Sequence, residues 1–416
     1  MNIKELYQAF LDSDGITTDT RNIKKNGLFF ALKGSNFNGN LFADEAIKNG
    51  AKLAIIDEGS PSKNKVLVRD VLKTLQDLAS YHRKQFHIPF IGITGSNGKT
   101  TSKELLNAIL ETSFKVHYTK GNFNNHIGVP LTLLEVPSDT DIAIIEMGAN
   151  HMGEIAGLCE IAAPTHGLIT NCGKAHIEGF GSEENIKKGK GELYNFLKWN
   201  DGLVFRNTQQ EYLKIMAQGA RQIEYNRPTL TSTKGQIKIL YNSLTIQTQL
   251  IGSYNLDNIA SAIAIAKFFK VSDNDIKKGL EGYTPNMNRS EIRKYKGAIV
   301  VLDAYNANPS SMSAALESFA NEDFTNKTVI LGDMFELGDT SEKEHQSIAA
   351  LCQKLPFTNV VLVGKNFKAA VKQEGVLTVL ESTNEAIKWF SSNFSDQCSY
   401  LVKGSRGMAL ERLLKE

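Results

Sequence analysis

Gly92-Ile93-Thr94-Gly95-Ser96-Asn97-Gly98-Lys99-Thr100-Thr101 follows a short apolar run, Ile88 to Ile93, and precedes a helical pattern from Lys103 to Leu110. A strand, a glycine-rich turn and a helix N-terminus together form a phosphate-binding device. Backbone N–H groups and the positive helix end face the anion. Lys99 adds a point charge, and the Thr100 hydroxyl is placed to hold Mg²⁺. The long form of this loop has Gly six residues before the lysine, where this chain has Ile93. What remains, Gly-x-x-Gly-Lys-Thr-Thr, also fits an ordinary strand-to-helix turn. The strand before it and the helix after it favour nucleotide binding, with ATP as the expected ligand of Gly95 to Thr101.

Moving outward, the chain has 416 residues, 41% of them apolar. That is enough for about three domains at ~150 residues each. The formal charge of +2 is nearly balanced and no long basic run occurs, which argues against nucleic acid or an anionic membrane as the main partner. No apolar stretch approaches the ~18 residues of a membrane span. Met1 to Gly15 carries Lys4, Glu5, Asp12 and Asp14 and does not read as a signal peptide. The four cysteines are widely spaced without a Cys-x-x-Cys pair. They read as buried thiols of a reducing cytosol, and the expected localisation is cytoplasmic.

Three segments emerge, with expected boundaries at 1–87, 88–288 and 289–416. The first has strand-like Gly27–Leu32, a helix near Leu41 to Lys48 and a longer one over Val71 to Gln85. The second alternates strands, at Ile88–Thr94, Asp141–Met147, His166–Asn171 and Leu203–Arg206, with helices. Such near-continuous apolar strands imply a parallel sheet covered on both faces. Residues 229 to 251 alternate with period two, as in a small antiparallel excursion, and a helix over Leu256–Phe269 follows. The third segment restarts the alternation at Ala298–Leu302, Thr328–Leu331, Val360–Val363 and Tyr400–Val402, each followed by a helical pattern. It reads as a second doubly wound α/β unit.

Ligands of an open α/β sheet sit outside the carboxyl ends of its strands. Glu146 ends one such strand, where it could ligate Mg²⁺ or serve as an ordinary cap or surface acid. His176 lies just past the end of another, as a loop residue or as a metal or phosphate contact. On the helix Ser182–Leu197, Lys187 and Lys188 have acids four residues away and read as solvated ion-pair positions. Lys190 instead has Ile186, Leu193 and Tyr194 as helical neighbours. An ammonium there would be costly to bury, and a buried lysine loses its proton readily. Its neutral amine could then take up CO₂ as a carbamate, an anionic metal ligand. Spacing alone favours the alternative, snorkelling of the ammonium to the surface. Asp303-Ala304-Tyr305-Asn306-Ala307-Asn308-Pro309 suits ribose hydroxyls and base amides, and equally a turn closed by Pro.

Together these motifs resemble the Mur ligases of peptidoglycan synthesis, over essentially the whole chain. Thr17-Thr18-Asp19-Thr20-Arg21 and Gly27–Gly34 are similar to the family's UDP-binding N-terminal domain, which implies Thr20, Arg21 and Lys33 as UDP-side contacts. Gly121 to Pro130 resembles the segment meeting the muramoyl substrate, implying Asn122, Asn124 and Asn125. Gly95–Thr101 matches the short family phosphate loop, including its missing first Gly. Glu146-Met147-Gly148 and Ala175–Glu178 match the metal-side motifs. Lys190–Tyr194 falls where the family carries its carbamylated lysine, which reverses the reading from spacing. Tyr254–Asn258 resembles the motif that closes on adenine, Arg289 stands where an arginine reaches the ATP phosphates, and Asp303 matches the ribose contact, with Asn306 beside it. Tyr305–Met312, Leu331–Gly338 and Lys403–Met408 single out the branch that adds D-alanyl-D-alanine. Asn38-Gly39-Asn40 departs from the Asp and His often found there.

The resemblance implies a three-domain α/β protein. A small UDP-binding domain precedes a central P-loop-type, mostly parallel ATPase domain and a Rossmann-like C-terminal domain. It implies an ADP-forming ligase that joins D-alanyl-D-alanine to a UDP-N-acetylmuramoyl-tripeptide through an acyl phosphate. Lys99, Glu146, His176, Lys190 and Arg289 would be catalytic. Two Mg²⁺ would be held among Thr100, Glu146, His176 and carbamylated Lys190. Lys403, Ser405 and Arg406 are the expected dipeptide contacts, and nothing demands more than a monomer. Rivals are a third-residue-adding or folate polyglutamylating relative and a non-catalytic nucleotide-binding protein. The absence of an Asp-Asn-Pro-Arg motif and of a His-containing turn at Tyr305–Met312 argues against the first two. Intact Lys99, Glu146, His176 and Lys190 argue against the third.

Overall fold

Phe90–Thr94 is buried throughout and lies near the middle of a six-stranded parallel sheet. The order across that sheet is Arg221–Tyr225, Leu203–Asn207, His166–Ile169, Phe90–Thr94, Ile142–Glu146, Val116–Tyr118. The chain runs outward in opposite directions from Phe90–Thr94, so the strand order reverses beside it. Such a switch point opens a crevice at the carboxyl edge, and the phosphate loop, Glu146 and the 170–176 segment all leave the sheet there. The computed structural model describes residues 1–232, 234–286, 288–371 and 376–415.

The first segment carries a small parallel sheet of Ile16–Thr17, Leu28–Phe30, Leu53–Ile56 and Lys65–Leu67. Its helix Ile3–Leu11 starts with an Asn2 capping box, which satisfies N–H groups left free at a helix start. The helix Val71–Arg83 is capped by Asp70. The core does not stop at residue 87. Leu6, Phe10, Val71, Leu75 and Leu78 pack in one apolar cluster with Phe90, Val129, Leu158 and Leu193. Arg83 closes this junction. It donates to the carbonyls of Ala162 and Ala163, both at 2.8 Å, at the end of the helix Glu154–Ala162, and lies 3.7 Å from the Phe90 ring centroid. Alanine in place of buried Arg83 is expected to lower stability by about 2–3 kcal/mol, seen as a lower urea midpoint, since charged hydrogen bonds to orphan carbonyls are lost.

Residues 229–251 form the antiparallel excursion, as Thr229–Ser232, Gln236–Tyr241 and Leu244–Ile251. The last segment builds a six-stranded sheet in the order Glu291–Tyr295, Ala298–Asp303, Ser399–Lys403, Lys327–Gly332, Asn359–Val363, Leu377–Leu380. Three features differ from the sequence expectation, the first being the additional parallel edge strand Leu377–Leu380. Glu291–Tyr295 is an extra, antiparallel edge strand; its alternating burial is weak because one face is solvated. The strand Ser399–Lys403 is followed by short 3₁₀ turns, Arg406–Met408 and Leu410–Leu414, and not by an α-helix. The first face of this sheet has a core of its own, reached from the central segment by Ile177, Ile251 and Tyr254.

Candidate active site

The phosphate loop has the backbone its glycines permit. Gly98 has φ of +80° and precedes the helix Lys99–Leu110 directly. A Cβ there would sit 2.2 Å from Asn258 Oδ1, so only glycine leaves room for the helix Leu256–Phe268 that carries it. The neighbouring strand end braces the loop. Asn171 Oδ1 accepts from Asn97 N (3.1 Å), Thr170 Oγ1 donates to Asn97 O (2.6 Å), and Ser96 Oγ donates to Gly173 O (2.8 Å). Lys99 Nζ donates to Gly95 O at 2.6 Å and Ser96 O at 3.3 Å. Burial, with Arg289 nearby, pulls its pKa down to about 8 against the opposing pull of Glu146.

Glu146 is the hub. It is 1% exposed. Oε1 accepts from Thr100 Oγ1 (3.1 Å) and Asn124 Nδ2 (2.8 Å). Oε2 has no hydrogen-bond partner; the nearest cation, Lys103 Nζ, is 3.5 Å away. Thr119 Oγ1 anchors the Glu146 backbone N–H at 3.0 Å. A buried carboxylate oxygen left open beside a phosphate-loop hydroxyl suits Mg²⁺, which takes one or two carboxylates plus substrate oxygens. Among the described residues, no three His, Cys, Asp or Glu side chains converge. A second cation would therefore need a ligand of another kind.

Lys190 is the candidate of another kind that the sequence offers, although its side chain does not line the cleft. It is buried, with Nζ donating to Ala149 O at 3.0 Å and Phe180 at 5.1 Å from it. This overturns the snorkelling that spacing favoured: Lys190 is 1% exposed, and Ile186, Leu193 and Tyr194 of the same helix are buried with it. Burial foremost, then the Lys99 charge, drops its pKa to about 7, so much of the amine is neutral at neutral pH. Lys188 is not paired with Glu192 as its spacing suggested. Glu192 instead accepts from Gly153 N (2.7 Å) and Ala156 N (2.8 Å), capping the next helix. Lys187 meets Glu184 at 3.8 Å, not Glu183.

The C-terminal segment closes the other wall of a cleft of about 750 Å³. Arg289 lies over the Tyr305 ring, 3.7 Å from its centroid, and its Nε is buried without a partner. Asp303 accepts from Ser290 N (3.1 Å) and from Lys403 Nζ (2.5 Å), which also donates to Asn306 O (3.2 Å). Asn258 bonds Asn255 (2.8 Å) and Ser102 (3.1 Å) at the loop's back. Asn308 caps the helix Pro309–Asn321 and donates to Asn97 Oδ1 of the phosphate loop at 2.7 Å. The two segments are thus in contact across the cleft.

Most candidate residues therefore share one cleft: the phosphate loop, Asn122, Asn124, Asn125, Glu146, His176, Asn258, Arg289, Asp303, Asn306 and Lys403 all line it. Several do not. Lys190, Thr20, Arg21 and Lys33 lie outside that lining, Lys190 buried behind it, Arg21 paired with Asp19 and Lys33 with Asp57 and Glu58. The Asn38 and Asn40 amides bond Glu58 and Asp57. Asn125 spends its Oδ1 on Ile127 N and Gly128 N. Of the expected dipeptide contacts, Lys403 is spent on Asp303. Ser405 accepts from Phe335 N (3.0 Å) off the cleft, and Arg406 is exposed and paired with Glu411. No cysteine is disulfide-bonded; Cys159 and Cys352 are buried, Cys172 and Cys398 half-buried.

Sequence reasoning missed Lys103, although its position four residues after Lys99 puts both on one helix face. It also missed Glu336, whose carboxylate stands against His176 Nδ1 from the C-terminal segment, and the Arg227–Asp257 pair (2.6 Å) on the cleft wall. Nothing local in the chain links 176 to 336.

Comparison with known proteins gives three family models along the chain. They are the Mur ligase family catalytic domain at 13–83, the Mur ligase middle domain at 93–266 and the Mur ligase glutamate ligase domain at 288–406. A UDP-N-acetylmuramoyl-tripeptide–D-alanyl-D-alanine ligase of Bacillus subtilis is 35% identical over 97% of this chain and 92% of its own length. The structure of a MurF from Acinetobacter baumannii superimposes with a TM-score of 0.89 at 29% identity, covering 99% of this chain and 97% of that one. A MurF ligase from Thermotoga maritima in complex with ADP gives 0.86 at 25% identity, covering 97% of each chain.

Proposed function

The chain belongs to the Mur ligase family, and from that premise we infer that it joins D-alanyl-D-alanine to UDP-N-acetylmuramoyl-tripeptide, giving the pentapeptide of peptidoglycan synthesis. It is an ATP-dependent, ADP-forming ligase that uses Mg²⁺. The observation that carries the residue-level reading is the open, buried Oε2 of Glu146 beside Thr100 at the phosphate-loop helix.

The tripeptide carboxylate attacks the γ-phosphorus of ATP, an O–P bond forms, and ADP leaves. The dipeptide amine then attacks the acyl carbon, a C–N bond forms as the nitrogen loses a proton, and the acyl C–O bond breaks to release phosphate. Lys99 turns from its own loop carbonyls to the transferring phosphoryl group, and the loop amides hold the phosphates. Thr100 and Glu146 would hold one Mg²⁺, and Glu146, His176 and carbamylated Lys190 a second; such cations neutralise phosphate and acyl-oxygen charge. Arg289, stacked on Tyr305, offers its free Nε to the phosphates from the far wall. Asp303, fixed by Lys403, meets the ribose, and Asn258 the adenine side. Closure of the two walls excludes water from the acyl phosphate.

In this reading residues 1–87 take the UDP end, with Thr20, Arg21 and Lys33, 88–288 hold ATP, and 289–416 close over it. Asn122, Asn124 and Asn125 meet the muramoyl part. The proposed site of action is the cytoplasm, where ATP is held, and the proposed working unit is a monomer. No helix among the described residues is long and apolar enough to cross a membrane.

Phosphate release from ATP with the muramoyl tripeptide, with and without the dipeptide, tests the reading. Dipeptide-dependent release with a pentapeptide product by mass is the expected result. Active protein that makes no pentapeptide would reduce the assignment to another ligase of the family.

A further inference from the structure

Three separate elements of the C-terminal segment converge on residues 174–178. Ser310 Oγ, at the start of one helix, accepts from Lys174 N at 3.0 Å. Glu344, at the start of the helix Ser341–Lys354, pairs with Lys174 Nζ at 2.8 Å. Between them stands Glu336, whose backbone carbonyl accepts from Glu178 N at 3.1 Å and whose carboxylate lies against His176 Nδ1. Glu336 adopts φ of +61° and His176 φ of +55°, a left-handed conformation that side-chain-bearing residues seldom take. Two facing residues held this way point to a contact that the surrounding packing enforces.

The loop carrying Glu336 is itself rigidly seated. Asp333 accepts from Asn366 N and Phe367 N at 2.9 Å each, His345 Nε2 accepts from Met334 N at 3.1 Å, and Ser405 Oγ accepts from Phe335 N. Asp333 and Ser405 thus shape the loop, and Glu336 is the member of Leu331–Gly338 that reaches across. At His176, the ring nitrogen Nδ1 is buried and faces the carboxylate, while no hydrogen bond among the described residues engages Nε2. A metal-ligating histidine commonly has its other ring nitrogen on a carboxylate, which fixes the ring and raises its basicity.

We propose that Glu336 is a positioning residue, delivered by closure of the C-terminal segment, that fixes His176 through Nδ1 and so completes the second cation site only in the closed arrangement. This rests on the reading of His176 as a cation ligand. It makes the metal site of one domain depend on a carboxylate of another.

The test compares Glu336→Gln, Glu336→Asp and Glu344→Gln. Glu344→Gln removes an ion pair across the same interface without touching His176. Mn²⁺ binding to the protein–ADP complex, followed by electron paramagnetic resonance, is read beside kcat and the KM for ATP. Glu336→Gln should weaken one Mn²⁺ site and lower kcat, each on the order of 10–100-fold, with KM for ATP little changed. Glu336→Asp should recover part of both, and Glu344→Gln should leave both near the parent. Equal losses in Glu336→Gln and Glu344→Gln would make Glu336 a mere latch and overturn the proposal, as would unchanged Mn²⁺ binding in a folded Glu336→Gln protein. If the parent protein makes no pentapeptide, the function reading fails separately, and the Mn²⁺ comparison still decides for or against Glu336.

Discussion

Glu146→Gln is expected to lower kcat by at least 10²–10³-fold while the protein stays folded. Losing one preorganised electrostatic group at a transferring charge costs on that order, and Glu146 is read as serving both cation positions. The amide keeps the shape. Its Oε1 can still accept from Thr100 Oγ1 and Asn124 Nδ2, now 3.1 and 2.8 Å away. What it cannot supply is the anionic Oε2. Lys103, fully buried, would lose one counter-charge but keep Glu104 at 3.1 Å and the carbonyl of Gly121 at 3.2 Å. Glu146→Leu should behave differently. It strands the buried Thr100 hydroxyl and the half-buried Asn124 amide as well, and a further loss of about 3 kcal/mol in stability is expected. Single-turnover phosphate release, with urea unfolding of both variants, checks the separation. A Gln variant within tenfold of the parent would remove Glu146 from the cation-binding role.

Lys190→Met should move activity and stability in opposite directions. Methionine fills the same slot among Ile186, Leu193 and Phe180 without a buried charge. Replacing a buried charge by an apolar side chain of similar size is often neutral or stabilising by about 1–4 kcal/mol. Activity should fall by about 10²–10³-fold, because an anionic cation ligand is lost. The stability gain has a pH signature. Lys190 titrates near 7 when folded, against 10.5 when unfolded. Between those values the unfolded chain binds more protons, so the parent gains stability as pH rises. The advantage of Met is therefore largest below about pH 7 and shrinks toward pH 10.5. In ¹³C-labelled bicarbonate the parent should show a carbamate resonance that the Met variant lacks. Melting curves from pH 6 to 10 and that spectrum together test the assignment. Full activity in Lys190→Met would end it.

The strand, turn and helix at Gly92–Leu110 were legible because every determinant is local: an apolar run, two glycines that tolerate positive φ, and a lysine at the helix start. The parallel central sheet was legible for the same reason, as Ile142–Ile145 is apolar on both faces. Lys190 shows where local reading fails. Its helical neighbours were read correctly, but whether the ammonium can reach water depends on Ala149 and Phe180, which fold onto it from other elements. Lys403 shows the same dependence on distant partners. Its motif marked it as a substrate contact, and Asp303, 100 residues away, takes its charge. Glu291–Tyr295 was overlooked because an edge strand with one wet face has little apolar signal. Glu336 could not have been matched to His176, since their meeting depends on two domains folding and then touching.

One apolar cluster runs from Leu6 and Leu75 through Phe90 to Leu193, with Arg83 fastened across the junction, whereas the C-terminal segment meets the phosphate loop and the 174–178 turn mainly through side-chain amides, hydroxyls and carboxylates, with Ile177 the apolar exception. In engineering terms, the chain has a chassis and a jaw. The chassis keeps a fixed span between the first segment, the proposed grip on the UDP end, and the phosphate loop. With the UDP end held as proposed, a rigid gauge of that kind would measure its cargo: a precursor whose peptide stem is one residue too short or too long would present its terminal carboxylate at the wrong depth, however well the jaw shuts.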